Sequence, residues 1–171
     1  MKQRTQRTKY SMSPLALSLL IILAFSSITF SNHAQLSFAQ NNTSFVNSFE
    51  KLVKNANNLS QSYHNETGKF AKGQINNKTM IAITDNYGQK YQNLIKEAKE
   101  LQPPKEFQNA TDLYTKSLEL ELQSNNHFRD YLSTNNSTEN NLSSKLLSDS
   151  FNYELEAFKK LKASGSFTIL P

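Results

Sequence analysis

The chain contains no cysteine, and only four of its 171 residues are glycine and four are proline. The lack of cysteine excludes disulfides, thiolate metal sites, c-type haem attachment and a lipid-modified N-terminal cysteine. The sequence also shows no glycine-rich phosphate-binding loop, no serine elbow and no HExxH motif. A chain without disulfides or thiolate metal sites therefore depends on its apolar core for stability.

Excess positive charge is confined to the start of the chain. The formal net charge is +5, but residues 1–40 carry four basic residues and no acidic one. Removing these four from the 19 basic residues leaves 15 against 14 acidic residues, a balance of +1. A nearly neutral chain lacks the clustered basic surface that nucleic-acid binding requires, so nucleic acid is not an expected partner.

The basic start is followed by an apolar run of the kind found in secretion signals. Residues 15–25 read LALSLLIILAF, with one polar residue among eleven. Small residues at Ser37 and Ala39 predict cleavage after Ala39, which makes residues 1–39 a signal peptide. The alternative is an uncleaved membrane anchor at residues 15–30, although a comfortable span needs about 20 residues. Both interpretations place the remaining chain outside the cytoplasm, either free or attached to the membrane through this segment alone.

Apolar residues recur at steps of three and four in four later stretches, which is the spacing of one face of a helix. The pattern predicts helices over 45–63, 80–101, 105–132 and 138–163, with a loop at 64–78 or a helical extension through Phe70. Two short connections and one longer one favour an all-α, antiparallel up-down-up-down four-helix bundle. The predicted bundle covers residues 40–165, with Gly165 as its C-terminal cap and residues 166–171 as a tail.

Two apolar lines mark the fourth predicted helix. One line is formed by Leu142, Leu146, Tyr153, Ala157 and Leu161, and the neighbouring line by Leu147, Phe151, Leu155 and Phe158. Both lines are expected to face the core. Ahead of this helix, Asn136 and Glu139 have the spacing of a capping box.

Five tyrosines occupy predicted core positions: Tyr63, Tyr87, Tyr91, Tyr114 and Tyr153. One interpretation packs their rings in the core, with the hydroxyls at its wet edge. The other places them around a polar-lined pocket for a small ligand. The sequence pattern is compatible with both.

No catalytic or metal-binding constellation is evident. His64 and Glu66 could share a weakly bound metal, but a solvated loop histidine is the simpler interpretation, and His127 is expected near the surface. Four glutamates could pair across the third and fourth helices as an acid–base couple, or could line solvated faces: Glu119, Glu121, Glu154 and Glu156. We therefore expect no enzymatic activity, no cofactor and no metal site.

Nine asparagines lie in N-x-[ST] acceptor sequences, about twice the number expected from 20 asparagines and 33 serines and threonines. None occupies a predicted core position, and eight fall in predicted loops, helix ends or the start of the mature chain. The preferred glycosylation sites are Asn65, Asn77 and Asn135, because flexible loops suit a transferase best. The alternative is that asparagine, serine and threonine simply share loops.

Two segments resemble known sequences. The leader ends in SFAQNN, and residues 101–120 read LQPPKEFQNATDLYTKSLEL, a proline turn before an aromatic-rich helix. Together with the Asn/Ser/Thr-rich chain, they resemble uncharacterised exported helical-bundle proteins of ammonia-oxidising archaea (Thaumarchaeota). The resemblance implies surface localisation and an archaeal type of N-glycan, and it transfers no active-site residue.

Three functions fit these observations. The leading hypothesis is an exported, non-catalytic surface or secreted bundle that binds an unidentified protein or envelope partner. The alternative is a bundle that binds a small ligand in a tyrosine-lined pocket. The third is an enzyme that uses the paired glutamates.

Overall fold

The computed structural model of the protein describes residues 40–163, with side chains from residue 43 onward. This range is all-α and contains four helices: α1 Gln40–Ala71, α2 Asn77–Glu100, α3 Gln108–Thr134 and α4 Ser137–Ala163. The predicted helical bundle is thereby confirmed. None of these four helices is both long enough and apolar enough to cross a membrane. The predicted leader, the cap at Gly165 and the tail lie outside the described residues.

The first helix is longer than the apolar rhythm predicted, so the loop at 64–78 is wrong and the extension through Phe70 is correct. Phe70 packs edge-on against Phe128 of α3, with ring centroids 6.0 Å apart. This tertiary contact offsets the cost of about 1 kcal/mol for Gly68 inside the helix. The helix ends at Ala71, and Gly73 follows with a φ of +70°, which suits glycine. The N–H groups of Gly73 and Gln74 then donate back to helix carbonyls, as in a Schellman cap.

Side-chain caps and prolines fix the remaining helix ends. The Asn76 side chain accepts a 2.9 Å hydrogen bond from the Thr79 N–H and starts α2. Pro103 and Pro104 follow the end of α2, as predicted. Between α3 and α4 only two residues intervene, and Asn135 adopts the left-handed conformation with φ 56°. The Asn136 side chain then caps α4 by accepting from the Thr138 N–H at 3.0 Å.

Apolar side chains form two separate clusters along the bundle. The larger cluster contains stacked Phe45 and Phe107 rings, 5.2 Å apart, and a Tyr114–Phe158 contact between α3 and α4. The smaller cluster surrounds fully buried Met80 near the α1–α2 turn. Most of the predicted positions on α1, α2 and α3 are buried in one cluster or the other, so their periodicity identified the core correctly.

The fourth helix packs on α3 through small residues. Ser124 donates to the Ser143 carbonyl at 2.8 Å, and Ser150 donates to the Ser117 carbonyl at 2.8 Å. The contact therefore moves back seven residues on α3 while it advances seven on α4. If the same spacing continues for seven more residues, Ala110 of α3 corresponds to Ala157 of α4, and both of these small residues are buried. Small side chains allow two helix backbones to approach closely, so α4 is held to α3 mainly by backbone proximity.

The predicted core lines on α4 are therefore wrong in part. Ala157, Phe158 and Leu161 are buried, but Leu142, Tyr153 and Leu155 are 36%, 38% and 38% exposed. The small residues take the position facing α3, which rotates these large side chains to the flanks of the helix. The error arose because serine carries no apolar signal in a periodicity argument.

Enlarging a small residue in this contact should destabilise the fold. Ser150 is 3% exposed, so leucine at this position would force α4 away from α3. We expect Ser150→Leu to lower the free energy of unfolding by about 1–3 kcal/mol. Urea denaturation followed by circular dichroism measures this, with Ser148→Leu as the matched change at an exposed position. Equal denaturation midpoints for the two variants would contradict the close α3–α4 contact.

Candidate functional site: an interior carboxylate cluster

A polar layer lies between the two apolar clusters. On α1, Ser60 lies between Ala56 of the larger cluster and Tyr63 of the smaller one. On α2 and α3, Tyr91 and Glu121 occupy the corresponding intervals. Three helices thus contribute one polar side chain each to the same level of the bundle.

Hydrogen bonds join these three side chains into a triangle. One oxygen of Glu121 accepts from the Ser60 hydroxyl at 2.8 Å and from the Tyr91 hydroxyl at 2.5 Å. The two hydroxyl oxygens are themselves 2.8 Å apart. Tyr91 is fully buried, and desolvation together with the neighbouring carboxylate raises its pKa well above the ordinary value. The hydroxyl therefore remains a proton donor to Glu121 at physiological pH.

A second carboxyl group from α4 reaches the same interior. Burial raises the pKa of Glu154 to about 7, and electrostatic repulsion from Glu121 adds to the effect. Burial also raises the pKa of Glu121, while its bonds from Tyr91 and Ser60 act in the opposite direction. The two hydroxyl donors thus favour the charged form of Glu121. Neither of them acts on the pKa of Glu154. The pair can hold a proton near neutral pH, mainly on Glu154.

The structure separates the four glutamates that the sequence grouped together. Glu119 forms an ion pair with Lys99 at 2.7 Å, and Glu156 one with Lys160 at 3.5 Å. Both pairs lie at the surface, where they contribute little to stability. Glu121 and Glu154 are half-buried and interact electrostatically with each other instead.

The five predicted tyrosines do not share one environment. Tyr63, Tyr91 and Tyr114 are buried, Tyr87 is half-buried and Tyr153 is exposed. Tyr63 bonds to the Thr84 hydroxyl at 3.0 Å, and Thr84 donates onward to the Met80 carbonyl. The Tyr63 and Tyr91 hydroxyls are thus already used in bonds within the protein.

The histidines also differ from their predicted settings. His64 lies inside α1, where burial lowers its pKa, and not in a loop. Glu66 is only two residues away, so the two side chains leave the helix on different sides. Glu66 instead pairs with Lys69 at 2.7 Å. His127 is partly exposed, as expected, but its Nδ1 lies 2.6 Å from a carboxylate oxygen of Glu139.

A surface cleft of about 320 Å³ lies elsewhere, between the end of α2 and the start of α3. Its lining includes Lys99, Pro103 and Asp112. Neither Glu121 nor Glu154 lines it, and none of the five tyrosines does. The interior carboxyl groups can exchange a proton, but this cleft does not bring a substrate to them.

Sequence reasoning missed Ser60 of this cluster and did not distinguish Glu121 from the other candidate glutamates. Ser60 is next to a predicted core position of α1, but serine itself contributes nothing to a hydrophobic pattern. Glu121 was one of four equivalent candidates, and only the rotation of α3 distinguishes it from Glu119. A charged residue directly flanked by Leu120 and Leu122 is the one local hint that the interior includes this position.

Replacing Glu154 with glutamine should remove part of the pH dependence of stability. Its pKa is about 7 in the folded chain and 4.5 in the reference state, so the folded form binds the proton more tightly. The free energy of unfolding therefore falls as pH rises from 4.5 to 7. Since a pKa difference of one unit corresponds to about 1.4 kcal/mol, the free energy of unfolding falls by at most roughly 3 kcal/mol over this range.

We expect Glu154→Gln to be closest to the parent in stability at pH 4, below both pKa values, and to exceed it at pH 8. Urea midpoints at the two pH values measure the difference. Glu156→Gln is the matched control, because that side chain is paired at the surface. A parent and Glu154→Gln variant with parallel pH profiles would show that Glu154 is solvated.

No family model, curated protein or solved structure matches this chain. A functional interpretation therefore rests on the residues and contacts of the chain itself.

Proposed function

We propose that the protein is an exported, non-catalytic helical bundle of the cell surface that binds another protein through one face of α4. The observation that carries this proposal is the exposure of large apolar side chains on this helix. Leu142 and Tyr153 are 36% and 38% exposed and lie eleven residues, or three turns, apart on the same side. Half-buried Leu146 lies between them. We refer to Leu142, Leu146 and Tyr153 as the outer α4 face.

The outer α4 face has the composition of a protein-binding surface. Tyrosine is enriched among residues that dominate binding energy, and apolar anchors with a polar rim are typical of interfaces. The ion pair between Lys145 and Asp149, with atoms 2.7 Å apart, borders these side chains. The partner is accordingly a protein with a complementary apolar surface, in the cell envelope or outside it.

Export is supported by the leader. Its basic start and apolar residues 15–25 fit a signal peptide that ends at Ala39, and an anchor at 15–30 is the alternative. Because α1 has 32 residues, its two ends lie about 48 Å apart. The end of α1 is therefore well separated from the residue that follows the leader.

We further propose the up-down-up-down arrangement of the four helices. The Asn77 side chain at the start of α2 donates to the Leu132 carbonyl near the end of α3 at 3.1 Å. Phe70 at the end of α1 contacts Phe128 in the same region of α3. These contacts support a common end of the bundle where α1 and α3 finish and α2 and α4 begin.

Acceptor asparagines concentrate at this common end. Asn65, Asn77 and Asn135 are all exposed there, close to the end of α1, the start of α2 and the end of α3. Glycans at these positions would cover the end opposite the leader. They would leave the second half of α4, which contains no acceptor after Asn141, open to a partner.

A photo-crosslinking amino acid at Tyr153 tests the binding proposal. In the native host we expect a discrete adduct with one envelope or secreted protein, and no adduct from the same probe at exposed Gln92 of α2. Adding Leu142→Ser should lower the adduct yield by about tenfold, as for a residue that dominates binding. An adduct of twice the chain mass would assign the face to a second copy. Equal labelling from both positions would overturn the proposal.

Glycopeptide mass spectrometry of protein from the native host tests the modification. We expect a glycan at Asn135, in the turn between α3 and α4, and lower occupancy at Asn77 and at Asn65, which lies inside α1 and not in the predicted loop. The Asn77 amide nitrogen already donates to the Leu132 carbonyl, and a transferase must break that bond. Unmodified peptides at all three positions would remove the glycoprotein part of the proposal and leave the binding face intact.

A further inference from the structure

Three side chains with metal-binding atoms converge where α3 ends and α4 begins. His127 and Asp130 lie three residues apart on α3, and therefore on the same side of that helix. Glu139 comes from the first turn of α4. One ligand atom from each residue lies within 4.8 Å of the other two.

The position of these side chains is set by the backbone. The Ser124–Ser143 contact lies three residues before His127 and four residues after Glu139, so it brings both helices together beside the cluster. The two-residue turn at Asn135 and Asn136 connects the same helix ends. The three side chains can therefore approach a common ion through side-chain rotation, without a backbone rearrangement.

The electrostatic balance of the cluster suits a divalent cation. Two carboxylates and a neutral imidazole supply a charge of −2, which matches an ion of +2. A positive side chain also contacts this cluster: Nη1 of Arg129 lies 3.8 Å from Asp130. Its Nε donates to Asp85 on α2 at 2.5 Å, so this guanidinium is already neutralised from the other side.

The partial burial of the three side chains also favours the binding of a divalent cation. The side chains of His127 and Glu139 are 32% and 27% exposed, and Asp130 is 54% exposed. The site is thus sheltered on the side of the helices and open to solvent on the side of Asp130. Imidazole with carboxylates is a ligand set for first-row transition metals, whereas Ca²⁺ and Mg²⁺ prefer oxygen ligands alone.

We propose that His127, Asp130 and Glu139 form a binding site for a divalent first-row transition metal ion of the Zn²⁺ class. Three protein ligands leave a coordination position for water. The bound ion would join the end of α3 to the start of α4. In this ion-bound form, Nδ1 of His127 would no longer share a proton with Glu139.

Calorimetric titration of the chelator-treated full-length protein with ZnCl₂ tests the proposal. We expect one saturable equivalent, an increase in melting temperature on binding, and no competition from a large excess of Mg²⁺. Because even outer-sphere changes reduce affinity by 10- to 100-fold, His127→Ala should weaken binding by on the order of 100-fold or more. Glu139→Gln should also weaken it, while the half-buried His64→Ala is the matched histidine control and should bind as the parent does.

A spectroscopic measurement separates site loss from misfolding. Co²⁺ in place of Zn²⁺ should give visible absorption bands in the parent and in His64→Ala, and these should be lost in His127→Ala. Far-UV circular dichroism of the metal-free variants should be unchanged, because none of the three ligand side chains is fully buried. Zn²⁺ binding of parental strength in His127→Ala, or no saturable binding in the parent, would overturn the proposal.

Discussion

The close contact between α3 and α4 is the constraint on which the rest of the structure depends. Two serine hydroxyls, from Ser124 and Ser150, donate to carbonyls of the facing helix and fix the register of the two helices at these positions. This register determines which side of α4 faces inward. It turns Glu154 toward Glu121, brings Glu139 to His127, and directs Leu142 and Tyr153 outward. The interior pair, the proposed metal site and the outer α4 face therefore have one structural origin.

The polar layer adds specificity at a cost in stability. Placing Glu121 between two apolar clusters requires desolvation, which its two hydroxyl donors offset only in part. Sliding α1 or α2 by one turn would leave this carboxylate without Ser60 or Tyr91, and an unpaired interior carboxylate is more costly than a paired one. The layer thus disfavours other registers of helices whose apolar patterns are otherwise similar. Protonation of Glu154 reduces the repulsion that a second interior charge would create.

Much of the fold could be predicted from the sequence, because α1, α2 and α3 bury large side chains at regular steps. Phe49, Tyr91 and Tyr114 were identified in this way. On the fourth helix the same method found Ala157, Phe158 and Leu161. It did not find Ser143 and Ser150, which contact α3, because hydrophobicity points to their neighbours. Hydrophobic periodicity detects large apolar side chains that are buried away from water. A contact between small residues buries backbone atoms instead, so it produces no such pattern.

The candidate sites could also be predicted only in part from the sequence, for a different reason. Glu121 and Glu154 were among four proposed glutamates, but choosing between them required the rotation of two helices. The cluster of His127, Asp130 and Glu139 spans a two-residue turn, so no spacing within one helix reveals it.

Using small residues for the α3–α4 contact also bears on the proposed function. A helix that presents leucines to its neighbour buries them and has none left for a partner. In α4, Ser143, Ser150 and Ala157 hold the helix in place, so Leu142 and Tyr153 are not needed for that contact. Their exposure persists although burying each fully would contribute on the order of 1.5–3 kcal/mol. A partner that covers the outer α4 face would recover part of this free energy.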